Sequence, residues 1–160
     1  VIHQTGKRSY DDIAWEVLSK DPGRTVKGLP PMVQDGCIRI VPYIYDMPAA
    51  LASADLVVGR AGALSIAEIT ARGLPAILIP FPYAAENHQE KNARVLEKAG
   101  AVKVLLDKAV TADSLGDLIL GLLGNREQLN NMAIASKSLG KADATQVIVD
   151  RIEQLAGWSG

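Results

Sequence analysis

Cysteine occurs once in the 160-residue sequence, at Cys37. A lone cysteine closes no intramolecular disulfide and builds no cysteine-based zinc cluster. The chain therefore reads as a protein of a reducing compartment, and a cytoplasmic location is expected. No apolar run approaches the ~20 residues of a spanning helix. No charged-then-apolar signal peptide opens the chain. Neither sign of charge dominates, since 17 basic and 18 acidic side chains leave a net charge of −1. That balance argues against a general nucleic-acid footprint, though not against a local basic site. An initiator methionine is missing too. The chain opens at Val1, and Val1 to Thr5 already reads as a strand, a start expected of a fragment.

What is present is material for a core. The composition is 48% hydrophobic and 22% charged, which excludes a disordered chain. A chain of this length buries roughly 70% of its unfolded surface without a disulfide or metal, and one domain is expected. The rhythm is strand, loop, helix, repeated. Strands are expected at Val1 to Thr5, Cys37 to Val41, Asp55 to Gly59, Ala76 to Ile79 and Val102 to Leu106. Helices are expected at Asp11 to Ser19, Asp46 to Ala54, Ala63 to Arg72 and Glu86 to Ala99. The Gly- and Pro-rich stretch Asp21 to Gly36 reads as a loop. The C-terminal third is helical. One apolar stripe, Leu115, Leu118, Ile119, Leu122 and Leu123, lies behind the N-cap candidate Thr111, and another lies between Ala142 and Gly157.

Continuous apolar strands separated by amphipathic helices predict an α/β fold: a Rossmann-like parallel sheet covered on both faces. Such sheets bind ligands beyond the carboxyl ends of their strands. The loops after Thr5, Val41, Gly59 and Ile79 are therefore where chemistry is expected.

After the Asp55–Gly59 strand comes Arg60-Ala61-Gly62-Ala63-Leu64-Ser65, which leads into a helix. Small residues there let backbone N–H groups approach an anion, and the helix end adds about half a positive charge. A phosphate is the natural guest. The turn is neither GxGxxG nor a P-loop, and a turn serving only packing accounts for it equally well. Glu68 lies four residues beyond Leu64, about 6 Å deeper on the same face. A carboxylate there can accept both hydroxyls of a ribose, although most helix glutamates are simply solvated. The loop before the next helix gathers Asn87, His88, Gln89 and Asn92, donors and acceptors suited to sugar hydroxyls or to plain capping. Tyr43 and Tyr45 flank Ile44 after the second strand. They can hold a planar base while the Ile44 backbone reads its edge, or they can be core aromatics.

Taken together, His3-Gln4-x-Gly6, Pro42-Tyr43-Ile44-x-Asp46-Met47, Ala54-Asp55-Leu56-Val57-Val58-x-Arg60-Ala61-Gly62-Ala63, Glu68-x-x-x-x-Gly73-Leu74-Pro75-Ala76 and His88-Gln89-x-x-Asn92-Ala93 resemble the peptidoglycan N-acetylglucosaminyltransferases. The resemblance runs to about Leu155. It implies the C-terminal half of a GT-B glycosyltransferase, with residues 1–160 forming one incomplete nucleotide-sugar domain. That family transfers N-acetylglucosamine from UDP-N-acetylglucosamine to lipid I with inversion, forming lipid II. By resemblance, the Ile44 backbone reads uracil with Tyr43 packed nearby. Ala63, Leu64 and Ser65 meet the diphosphate, Arg60 and Gly62 shape the turn, and Glu68 takes the ribose hydroxyls. His88, Gln89 and Asn92 belong to the sugar side, although the family often has glutamine where His88 stands.

The resemblance also implies what is absent. The N-terminal acceptor domain, through which the parent enzyme meets lipid I and the cytoplasmic membrane surface, is missing. So are the first strand of the nucleotide domain with its Gly-Gly-Ser-x-Gly turn and the candidate catalytic base. This chain alone is expected to bind the donor weakly or not at all and to transfer nothing. Part of the Ala142–Leu155 stripe is expected to face the absent domain. No Asp-x-Asp pair occurs, so no metal or other cofactor is expected, and a helix dipole would stabilise the leaving diphosphate. The competing readings are another GT-B UDP-sugar transferase, a nucleotide-binding subunit with a separate acceptor partner, a non-catalytic nucleotide-binding module, a sugar-nucleotide epimerase and a dinucleotide-binding domain. The last requires GxGxxG with an acidic residue about 20 residues on, and neither occurs.

Overall fold

The computed structural model describes residues 1–19, 33–35, 38–141 and 143–157. They form two compact units, Val1–Ala52 and Ser53–Gly160. The first unit holds a three-stranded sheet in the order β1-β3-β2. Its strands are β1 (Ile2–Gln4), β2 (Val33–Asp35) and β3 (Ile38–Val41). β1 runs parallel to β3, with His3 opposite Ile40, while β2 pairs antiparallel, with Val33 opposite Ile40. Helix α1 (Tyr10–Ser19) covers it, packing Tyr10, Ala14 and the half-buried Ile13 around Ile40. Helix α2 (Met47–Ala52) starts where the Asp46 carboxylate accepts the Ala49 N–H at 3.0 Å. Asp46 is thus its N-cap, and Pro48 sits in the first turn, where a missing N–H costs nothing.

The second unit is built on a fully parallel sheet in the order β4-β5-β6. Its strands are β4 (Val57–Gly59), β5 (Ala76–Leu78) and β6 (Val102–Val104). Parallel neighbours need crossovers. Helix α3 (Ala63–Arg72) joins β4 to β5, and α4 (His88–Lys98) joins β5 to β6. All three residues of β5 are fully buried. Ala76 and Leu78 face a cluster with Ile69 of α3 and with Ala93 and Leu96 of α4. Ile77 faces the other way, onto Leu122 of α5 (Ala112–Leu123) and onto Leu129 and Met132 of α6 (Arg126–Leu139). The strand alternation thus feeds two cores, one on each face.

Helix α3 is fixed at its end by two devices. Gly73 stands in the left-handed region (φ 71°, ψ 43°), and the Leu74 N–H reaches back to the Ile69 carbonyl at 3.0 Å. The Lys137 ammonium donates to the Ala71 carbonyl at 2.6 Å, satisfying one of the orphan acceptors. Gly140, which follows α6, lies so close that a Cβ there would stand 2.4 Å from the Thr70 carbonyl oxygen. Thr111 and Ser114 close a capping box on α5, and Asn125 caps α6. Helix α7 (Ala144–Ala156) ends the described chain, with Val147, Ile148, Ile152 and Leu155 all exposed.

The sequence expectations hold for most elements and need three corrections. The expected α/β architecture of parallel strands and helices stands, with the strands in two three-stranded sheets. β2 arises inside the stretch read as loop, and it is antiparallel, so the first sheet is mixed. Its partner is the next strand along the chain, with Asp35 opposite Ile38, but a three-residue Val33-Gln34-Asp35 run inside a Gly- and Pro-rich stretch does not announce a strand. The rest of that loop, with Cys37, lies outside the described residues. The helix expected from Glu86 starts at His88, because Glu86 and Asn87 stand at φ 50° and 56° and form a 3-10 turn with Ala85. The C-terminal region contains a further helix, α6, that the two apolar stripes do not delimit.

Candidate functional site

The carboxyl ends of β4 and β5 carry the expected donor-site residues of the second unit. β4 ends at Gly59, and the chain passes through Arg60 and the fully buried Ala61 into Gly62. Gly62 is extended (φ −69°, ψ 149°), and no side chain caps α3. Its first turn carries no acidic residue either. Ala63, Leu64 and Ser65 are exposed there. Helix starts normally satisfy their free N–H groups with a Ser, Thr, Asp or Asn cap. This one leaves them, with the positive end of the dipole, at the exposed surface. Glu68 is half-buried one turn further on, and it has no hydrogen-bond or ion-pair partner among the described residues.

Arg60 does not project freely. One of its terminal nitrogens donates to the Ile79 carbonyl at 3.4 Å and to the Pro80 carbonyl at 3.3 Å, and it pairs with the Asp107 carboxylate. The guanidinium carbon lies 5.6 Å from the centre of the Phe81 ring, within cation–π range. Arg60 is therefore held by residues beyond β5 and β6.

The loop after β5 brings the sugar-side candidates to the start of α4. The Phe81 N–H donates to Gln89 Oε1 at 3.0 Å, which leaves the Gln89 amide NH2 without a protein partner among the described residues. His88 Nδ1 lies 2.6 Å from the Ala85 carbonyl. A carbonyl only accepts, so Nδ1 carries the proton, and Nε2 of the neutral ring is an acceptor. The backbone that sets this arrangement is strained, with two consecutive non-glycine residues at positive φ. Asn87 is turned to local use and donates to Glu90 at 2.9 Å. Asn92 is exposed, four residues along α4 from His88 and so on the same helix face. Arg60, Gly62, Ala63, Leu64, Ser65, Glu68, His88, Gln89 and Asn92 thus share one unit.

Tyr43 and Ile44 belong to the other unit. The core alternative for the tyrosines fails: Tyr43 is 50% and Tyr45 72% exposed, with their rings edge to face at 5.2 Å. The Ile44 N–H donates to Gln4 Oε1 at 2.8 Å. The amide expected to read a base edge is therefore already held by a side chain from the end of β1, which leaves the Ile44 carbonyl as the open group. Sequence reasoning gave Gln4 and Asp107 no role. Each lies about 40 or more residues from its partner, so no local spacing reveals it. Among the described residues no group of three or more His, Cys, Asp or Glu could hold a metal ion, and no helix is long and apolar enough to cross a membrane.

Residues 1–148 match the family model of the glycosyltransferase family 28 C-terminal domain. A protein of Desulforamulus reducens is 43% identical over 97% of this chain and 40% of its own length. A protein of Clostridioides difficile is 54% identical over 71% of this chain and 28% of its own. Both are named UDP-N-acetylglucosamine–N-acetylmuramyl-(pentapeptide) pyrophosphoryl-undecaprenol N-acetylglucosamine transferase. The crystal structure of Acinetobacter baumannii MurG matches with a TM-score of 0.75 and 32% identity, over 96% of this chain and 42% of that one. The chain thus spans about 40% of the length of the relatives it matches almost end to end. The parallel sheet of the second unit, its open helix start and this match together make the chain a member of the glycosyltransferase family 28 C-terminal domain family.

Proposed function

We propose that this chain is the UDP-N-acetylglucosamine-binding part of an inverting N-acetylglucosaminyltransferase that converts lipid I to lipid II in peptidoglycan synthesis. The observation that carries the reading is the start of α3. It is uncapped, free of acidic residues and exposed, and an unpartnered carboxylate, Glu68, follows one turn later. A diphosphate satisfies the N–H groups of Ala63, Leu64 and Ser65, and the ribose between base and phosphate reaches Glu68. The printed names of the relatives supply the sugar and the acceptor class.

In the transfer, the bond from the sugar C1 to the diphosphate oxygen breaks as an acceptor hydroxyl attacks from the opposite face. Negative charge collects on the departing diphosphate. The α3 dipole and N–H groups stabilise that charge more than the ground state, which is what accelerates the step. His88 Nε2, the Gln89 amide and Asn92 orient the sugar. The acceptor's proton passes to a base outside this chain, and no residue here is assigned that role. The acceptor surface and the contact with the cytoplasmic membrane face belong to the rest of the parent enzyme, on which the exposed stripe of α7 is proposed to pack. The isolated chain is proposed to bind donor weakly and to transfer nothing.

The test is a titration of UDP and UDP-N-acetylglucosamine into the chain, followed by amide NMR shifts, beside Glu68→Ala. Losing a pair of charge-assisted hydrogen bonds costs roughly 1.5–3 kcal/mol, so affinity for both ligands should fall at least about tenfold. Equal binding by the variant would remove Glu68 from the site. Lipid II formation by the isolated chain would overturn the inactivity proposal.

A further inference from the structure

We propose that Asp107 is a positioning residue for the sugar half of this site, acting through Arg60 on the loop that holds Gln89. The inference rests on the nucleotide-sugar reading above and adds a residue from a third strand end. Arg60 leaves β4, the Ile79–Phe81 segment leaves β5, and Asp107 leaves β6 in a short 3-10 turn. These three strand ends are tied by one guanidinium. Arg60 donates to the carbonyls of Ile79 and Pro80, faces the Phe81 ring, and pairs with Asp107. On the far side of the same segment, the Phe81 N–H donates to Gln89 Oε1 at 3.0 Å. The path from Asp107 to Gln89 is therefore continuous: carboxylate, guanidinium, loop backbone, amide.

Within that path Asp107 is the anchor. The bonds from Arg60 to the two carbonyls, at 3.4 and 3.3 Å, lie at the long end of the hydrogen-bond range and share one nitrogen. A half-exposed arginine has many rotamers, and weak neutral acceptors hold it in one of them poorly. A carboxylate holds it better, because a charge-assisted bond is roughly twice as strong. The diphosphate end of the site does not need this anchor. Ala61 is fully buried in the core, and the Ile66 N–H closes the first helical turn on the Gly62 carbonyl at 2.9 Å. Loss of Asp107 should therefore loosen the loop and Gln89, which serve the sugar, and spare the start of α3, which serves the diphosphate.

The experiment compares Asp107→Asn and Asp107→Glu with the parent chain. Without ligand, the Asn variant should shift the Phe81 backbone and Gln89 side-chain amide resonances and speed exchange of the Phe81 N–H. With ligand, NMR titration should show UDP-N-acetylglucosamine binding weakened about three- to fivefold, the range for a partly exposed ion pair, with UDP changed less than about twofold. The Glu variant should recover most of the loss. Equal weakening of both ligands, unchanged UDP-N-acetylglucosamine binding, or unmoved Phe81 and Gln89 signals would overturn the proposal. A folded parent chain that binds neither ligand would sink the donor-site reading and the sugar-side role with it. The Phe81 and Gln89 signals would then still decide whether Asp107 holds the loop.

Discussion

The two units build their sheets from different strands and cover them differently. Polar residues interrupt Ile2-His3-Gln4, Val33-Gln34-Asp35 and Ile38-Arg39-Ile40-Val41 in the first, while Val57-Val58-Gly59 and Ala76-Ile77-Leu78 in the second carry none. In the second unit β5 is sealed on both faces, with α3 and α4 over Ala76 and Leu78 and with α5 and α6 over Ile77. In the first unit every residue of β1 is exposed, and Ile40 is the one buried residue of β3, under a single helix. A strand's composition makes burial possible, and the helices that reach it decide whether burial occurs. The difference also bears on function. The parallel sheet supplies a rigid frame for the α3 start and the Gln89 loop. The mixed sheet carries Tyr43 and Ile44 on a more exposed frame, where a side chain, Gln4, holds the Ile44 N–H.

The largest test of the contrast is a pair of truncations. Ile77→Ala should cost about 3–5 kcal/mol, because a residue packed between a central strand and two helices leaves a cavity that cannot collapse. Ile40→Ala should cost about 2 kcal/mol, since its small cluster can close on itself. Denaturant unfolding of both variants measures this, and equal losses would break the comparison. A smaller effect comes from two glycines of the second unit. Gly140→Ala drives a Cβ into the Thr70 carbonyl oxygen and should destabilise by about 1–3 kcal/mol. Gly116→Ala, inside α5 with open space around it, should stabilise by about 0.5–1 kcal/mol. Thermal midpoints moving in opposite directions would locate the rigidity at the α3–α6 contact, and two drops would argue against it.

The smallest effects lie at opposite ends of the pH scale. Burial would raise the Glu97 carboxyl. The hydrogen bonds from Arg94 and from the Val104 N–H, with the charges of Arg94 and Lys103, outweigh it and hold the group below its ordinary value. Its contribution is then present above the ordinary carboxylate range and lost as pH falls through the depressed value. Glu97→Gln should flatten the acid limb of stability in the second unit. Burial, helped by Asp11, raises the Tyr10 phenol above its ordinary 10.0. That contribution is present below the ordinary value and lost as pH rises through the raised one. Tyr10→Phe should flatten the alkaline limb of the first unit. Chemical-shift titrations of each unit separate the two, and a shared limb would show that the units unfold as one.

Local chemistry made much of this protein legible from sequence. The bounds of α3 follow from Gly62 before it and from Gly73 and Pro75 after it. Thr111 announces α5, and Gly62 in place of a capping side chain announces an uncapped start of α3. These are interactions within a few residues, and residue type determines them. Tertiary structure alone decided the rest. The Ile44 amide is held by Gln4, 40 residues away, and Arg60 is held by Asp107, 47 residues away. Two non-glycine residues are forced to positive φ before His88. Such features depend on which strand ends meet in space. The free energy of that meeting comes from burying β5 between its helices, and no short stretch of sequence encodes it.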